Sequence, residues 1–193
     1  MPLVDYIDPD SVTDEVRERI LYEHENGETK PSLLYSVLAN NPDVLLARSA
    51  YSSALRKDGN LDEALKELSH AVVSLTNDCD YCASSHSENL VEVYGLSDEQ
   101  LRAVADGDLE GFTDRERAVI EFARQTASDP KRVSNEHVKA LEAVGFDDAD
   151  VIELLTFVSY AVASNTIVDA MNIHPGDRDV ELPTYHPGRT GSE

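Results

Sequence analysis

Basic residues are scarce in this 193-residue chain: 16 Lys and Arg stand against 38 Asp and Glu, a formal net charge of −22. So acidic a surface repels phosphate backbones and anionic bilayers, which excludes nucleic acid and membrane surfaces as natural partners. The acidic residues are spread along the chain and not gathered in one tail. That distribution suits a cytoplasm rich in salt, where screening relieves self-repulsion; the plainer alternative is an ordinary acidic protein. The opening residues, MPLVDYIDPD, lack a basic segment followed by an apolar one, so no signal peptide is expected. No apolar run approaches the roughly 20 residues that cross a bilayer. The expectation is a cytoplasmic protein. Segments alternating apolar and polar residues are also lacking, which argues against strands. Internal repeats, low-complexity linkers and clear domain boundaries are absent as well.

Cysteine is nearly absent: the chain has two, Cys79 and Cys82. In a reducing compartment so close a pair serves redox chemistry or metal binding more often than it staples a fold. Both lie in the stretch Glu67 to His86, which reads ELSHAVVSLTNDCDYCASSH. If a helix opens after Asn77 and Asp78, Cys82 lies about 60° from Cys79 around its axis, and His86 about 20° from Cys79. The three side chains then share one narrow face, with Cys82 and His86 as an i, i+4 pair. A base is thereby set beside a thiol, at the helix end that favours a thiolate. The dipole alone favours Cys79, nearer the helix start, as the more acidic thiol. Glu67 precedes the pair in a mostly apolar segment and can fix the imidazole tautomer.

What the chain has in abundance is a repeated unit of cap, amphipathic run and glycine stop. Ser11 with Asp14 heads a helix to about Glu25, stopped by Gly27. Pro31 starts a short apolar segment, SLLYSVLA. Asn41-Pro42 opens a helix that Gly59 ends. Asn60 with Glu63 opens the helix that carries Glu67 and His70, broad enough in its apolar face to be buried. The cysteine helix runs to Tyr94, with Gly95 as its stop. Ser97 with Gln100 and Thr113 with Glu116 head two further helices. Ser134 opens one that stops at Gly145. Asp147 or Asp148 opens the last, which reaches about Met171. The expectation is one all-α domain over 1–193, with a core of about 31–171 and a polar, extended tail over 172–193, placed to wrap a neighbouring subunit. The breadth of the apolar faces points to a homo-oligomer.

Glu67, Cys79, Cys82 and His86 form the pattern Glu-x11-Cys-x2-Cys-x3-His. It resembles the core motif of the alkylhydroperoxidase D and carboxymuconolactone decarboxylase-like family. The segments NPDVLLARSAYSSAL, TDRERAVIEFARQTASDP and GFDDADVIELLTFVSYAVASNTIVDAM resemble its peroxidase-related branch, so the likeness spans most of Pro31 to Met171. The resemblance implies an all-helical oligomeric fold and a thiol peroxidase that reduces hydrogen peroxide or organic hydroperoxides. It needs no bound cofactor and draws electrons from an external dithiol. It makes Cys82 the peroxidatic cysteine, Cys79 the resolving one, His86 the base and Glu67 its proton-relay partner. Two positions depart from the pattern: Tyr81 stands where some members have a histidine, and His70 is extra. Decarboxylating members generally lack the cysteine pair, so its presence argues against that reaction.

Each residue has a blander reading. Zinc is the main rival for the pair, with His86 and either Glu67 or His70 completing four ligands, but a second Cys-x-x-Cys or a His-x3-His is missing. A non-redox enzyme could use Glu67 and His86 for acid–base work, and a metal-binding or redox-sensing module would need no turnover. His70 and Tyr81 are pocket candidates, or packing residues. Asn165 is a weaker candidate, since a satisfied buried amide accounts for it as well. His24, His137, His174 and His186 stand in polar surroundings and read as solvated.

Overall fold

The structure is a computed structural model that describes residues 1–23, 29–56 and 60–177, with the backbone alone for residues 22, 23, 29 and 30. The expected stops at Gly27 and Gly59, the histidines His24 and His186, and the tail beyond Asp177 lie outside the described residues.

The all-α expectation holds, with one small exception near the N-terminus. The first helix, α1 (Asp14–Ile20), has Thr13 at its N-cap position without a side-chain capping bond, not the expected Ser11, which lies in the 3-10 turn Pro9–Ser11, and it leaves helical geometry at Leu21, with φ −83° and ψ 135°. The helix expected to reach Glu25 therefore stops five residues early. Leu21–Glu23 (β1) instead pairs antiparallel with Thr29–Pro31 (β2), Leu21 opposite Pro31. The backbone groups of β1 find partners in that ribbon, so a further helical turn is not needed.

The helices that follow start largely where the caps place them. Ser32 heads α2 (Leu33–Leu38), and Asn41 caps α3 (Pro42–Leu55) by accepting from the Val44 N–H. The next helix, α4 (Glu63–Thr76), is capped by Asp62 and not by the expected Asn60. The Asn60 amide is engaged elsewhere: it donates to Asp150 Oδ2 at 2.6 Å and to the Gly145 carbonyl at 3.1 Å. α5 (Asp80–Glu92) carries the cysteine motif. α6 (Asp98–Asp106) and α7 (Asp114–Ser128) each open with the expected capping box. α8 (Asn135–Ala143) is headed by Ser134, whose N–H and hydroxyl both meet His137 Nδ1. Asp147 caps α9 (Asp148–Ala170).

Three apolar clusters form. The largest joins α4, α6, α7, α8 and α9 through side chains such as Leu68, Val72, Phe122, Leu141 and Leu154. Each fully buried Leu or Phe contributes about 1.5–3 kcal/mol. A second joins α2, the start of α5 and the end of α9 through Leu34, Cys79, Tyr81, Cys82 and Val168. A third holds α1 against α3 through Val16, Ile20 and Leu45. Burial thus begins at Val16 and runs to Ile173, wider at both ends than the expected core of 31–171. The N-terminal segment is tied to the far end of the chain: the Leu3 N–H donates to the Met171 carbonyl, and the Tyr6 hydroxyl to Asp177.

α9 is apolar nearly all round. By length and composition alone it is long enough and apolar enough to cross a membrane, contrary to the expectation that no such run exists. In this fold Leu154, Phe157, Val158 and Ala161 are fully buried and its inner face packs against α3, α4, α5 and α7, while Ile152 on the other side is 60% exposed.

Candidate active site

Three residues, Asn77, Asp78 and Cys79, join α4 to α5. Asp78 takes a left-handed backbone, φ 56°, a conformation in which Asp is among the tolerated residues. The sharp reversal makes Cys79 the N-cap of α5, not a member of it: its N–H donates to the Ser74 carbonyl, and its carbonyl accepts from Ala83. The expected sharing of one helix face therefore applies to Cys82 and His86 but not to Cys79.

The two thiols are free and buried, yet they face different surroundings. Cys82 lies in the wall of a cavity of about 310 Å3, together with His86, His70 and Tyr81. Cys79 is fully buried behind it, against the apolar side chains of Val168 and Ile173. A hydrogen bond to Cys82 and burial together push the Cys79 thiol far above its ordinary range, and the Cys82 sulfur and the nearby Asp169 carboxylate act in the same direction. Cys79 is thus held as a neutral thiol beside Cys82. The helix dipole, which on its own favours Cys79, is overridden by desolvation at its own N-cap.

Glu67 and His86 come together across the α4–α5 turn. His86 Nδ1 lies 2.5 Å from Glu67 Oε2, and Arg56 Nη1 donates to Glu67 Oε1 at 2.7 Å. Glu67 is 4% exposed. Burial opposes its ionisation, but His86 and Arg56 outweigh that and hold the carboxyl well below the usual carboxylate range. A carboxylate can only accept, so Nδ1 carries the hydrogen and Nε2 is the nitrogen left for the cavity.

His70 lies parallel to His86, ring centroids 3.5 Å apart. It is 3% exposed, and neither of its ring nitrogens has a partner among the described residues. Burial, then the proximity of His86, push it well below the ordinary imidazole range, so it is neutral. Tyr81 both lines the cavity and packs in the second apolar cluster, which joins the two readings left open for it. Asn165, expected as a weaker pocket candidate, does not line the cavity. Its amide is spent on a bridge, accepting from Asn77 and donating to Ser74 Oγ. His137 serves as the capping partner in α8, and His174 meets the Asn172 side chain, both exposed. Among the described residues, no three His, Cys, Asp or Glu side chains gather so as to hold a metal ion.

The opposite wall was not anticipated. Tyr35 of α2, Ser52 and Arg56 from α3 and its C-cap, and Tyr160 and Ser164 of α9 line it. Arg48 stands behind, its guanidinium 4.4 Å from the Tyr160 ring centroid and bonded to Ser164 Oγ. Tyr35 bonds with Tyr160 and Ser52, and burial, with Tyr160 next, pushes its phenol up to about 12. The available signal was a tyrosine inside an otherwise apolar run, as in SLLYSVLA and LLTFVSYAV, because a buried hydroxyl needs a partner.

The family model described as the carboxymuconolactone decarboxylase family matches residues 42–125. That segment runs from α3 to α7 and contains Glu67, Cys79, Cys82 and His86. That match supports the likeness to the alkylhydroperoxidase D and carboxymuconolactone decarboxylase-like family. Solved structures agree on the fold. A peroxidase-related protein with an alkylhydroperoxidase D core, from Ralstonia eutropha JMP134, superposes with a TM-score of 0.71 at 24% identity, covering 91% of this chain and 93% of its own. A second peroxidase-related protein, from Silicibacter sp. TM1040, gives 0.66 at 20% identity, covering 72% and 73%. The debrominase Bmp8 gives 0.63 at 20% identity, covering 72% and 74%. None of the curated proteins matches the sequence. At these identities the neighbours speak for the carboxymuconolactone decarboxylase-like fold, whose members are generally enzymes.

Proposed function

We propose that the protein is a thiol-dependent peroxidase that reduces hydrogen peroxide or organic hydroperoxides through Cys82 and Cys79. One observation carries the reading: Cys82 opens on a cavity beside His86, while Cys79 sits next to it in the same apolar cluster, away from the cavity. His86 Nε2 takes the Cys82 proton, and Glu67 steadies the imidazolium. The thiolate attacks the outer peroxide oxygen, the O–O bond breaks, and the alkoxide leaves with the proton from His86 as an alcohol. Cys82 is then a sulfenic acid. Cys79 attacks its sulfur, an S–S bond forms, and hydroxide leaves with the Cys79 proton as water. An external dithiol returns the disulfide to two thiols by exchange; no bound cofactor is needed.

On this reading the protein is cytoplasmic, acts on a small-molecule peroxide, and works as a homo-oligomer in a salt-rich compartment. The exposed Val44, Tyr51 and Ile152 on α3 and α9 support the oligomer. Thiol titration before and after one equivalent of peroxide tests the chemistry, with loss of two thiols per chain expected. Retention of both, with turnover of a lactone or carboxylate substrate that depends on Glu67 and His86, would replace the peroxidase by a non-redox enzyme. Light scattering that shows only 21.3 kDa in high salt would remove the oligomer.

A further inference from the structure

The charge of the cavity runs against that of the chain. With 38 acidic and 16 basic residues overall, no Asp or Glu among the described residues lines it, whereas Arg19 and Arg56 do. Glu67 lies close behind the wall, but its two oxygens are already matched by Arg56 and His86. Arg48 adds a third guanidinium behind Tyr160 and Ser164. In a recess walled by low-dielectric protein such charges are less screened than at the surface. The cavity therefore draws anions into a molecule that repels them elsewhere.

The cavity also offers unmet donors and more room than hydrogen peroxide fills. Its volume of about 310 Å3 is roughly ten water volumes and falls in the range of small-molecule sites. His70 lines it with neither ring nitrogen bonded among the described residues. A buried polar group left unmet costs about 1–3 kcal/mol, which a polar ligand relieves. Tyr35 remains a phenol well past neutral pH, so with Tyr160 it presents O–H groups and no competing negative charge. Leu34 and the ring of Tyr81 supply apolar wall between these polar groups.

We propose that the cavity selects an organic hydroperoxide bearing a carboxylate, with Arg19 and the Tyr35–Tyr160 pair receiving the acid while the O–O bond meets Cys82. This rests on the peroxidase reading for the reacting end and on the cavity charge for the other. The carboxylate is unchanged in the reaction; the O–O bond breaks, Cys82 is oxidised, and the hydroperoxide leaves as the alcohol.

Two matched pairs test it at fixed salt. In calorimetry on the reduced protein, 4-isopropylbenzoate should bind about ten-fold tighter than neutral 4-isopropylbenzyl alcohol. In turnover with a dithiol donor, kcat/KM for the para-carboxylate of cumene hydroperoxide should exceed that for cumene hydroperoxide by a similar factor. Arg19→Gln should cut both ratios several-fold and Arg19→Lys should restore most of the loss. Arg19 is exposed on α1, so circular dichroism should show both variants folded. Equal binding of the two probes, or ratios unmoved by Arg19→Gln, overturns the proposal and leaves the peroxidase intact. Preferential benzoate binding with no oxidation of Cys82 by either hydroperoxide overturns it from the other side, through failure of the peroxidase chemistry.

Discussion

The N-cap of α5 and the cavity wall one turn further on hold the same functional group in opposite conditions. At the N-cap, Cys79 is fully buried among apolar side chains and kept protonated. At the wall, Cys82 meets the cavity beside an imidazole whose other nitrogen is held by a buried carboxylate. Three residues of separation are enough to divide labour between two chemically identical thiols. The dipole favours the first position, and burial together with the thiol's own hydrogen bond reverses that preference.

The strongest way to break this contrast is to remove one sulfur at a time. Cys82→Ser should abolish fast reaction with peroxide, whereas Cys79→Ser should still react once and leave a sulfenic acid trappable by dimedone. Sulfenic acid accumulating on Cys79 at the wild-type rate in Cys82→Ser would reverse the assignment. Next in size, His86→Ala should slow the first oxidation at neutral pH by about 10²–10⁴-fold, measured by stopped flow, and raising the pH should recover part of the rate.

Stability tests sharpen the comparison from the other side. Glu67→Gln removes the buried carboxylate that joins His86 to Arg56, leaves Arg56 with Glu63 alone, and should cost about 1–3 kcal/mol in denaturant melts. Folded Glu67 titrates below its ordinary 4.5, so as pH falls the unfolded chain binds the proton first. Its stabilisation is complete above about pH 4.5 and is lost progressively below, and the variant should lack that loss. His70 acts higher and more weakly. Its folded pKa lies below the ordinary 6.5, so beneath about pH 6.5 the unfolded chain takes up a proton that the folded one refuses, and stability falls. His70→Gln should flatten the profile below about pH 6.5. The smallest expected effect is a rise in melting midpoint from dilute buffer to molar salt, as screening eases the repulsion of a −22 chain. A flat response would remove the salt-adaptation argument.

Much of this was legible in the chain because it is local. Capping boxes at Ser97 and Thr113 fix helix starts within four residues, and Glu67, Cys82 and His86 lie on one pair of adjacent helices. Asn60 misled because its amide found a distant partner in Asp150, which no local pattern encodes. The helix expected to Glu25 failed for a similar reason, since β1 takes its partners from β2. Arg48, Tyr35 and Tyr160 were missed because each acquires meaning only from the others, on three separate helices.

The short turn through left-handed Asp78 carries a consequence for how the molecule folds. Contacts between neighbours in sequence form fastest, because they close the shortest loops. The Glu67–His86 pairing spans a single helical hairpin, whereas the tyrosine wall waits for α2 and α9 to meet across most of the chain. In refolding, the thiols should thus acquire their base before they acquire a chamber. An early intermediate would expose an activated cysteine to any oxidant in solution, so refolding in peroxide should yield the Cys79–Cys82 disulfide ahead of native tyrosine packing.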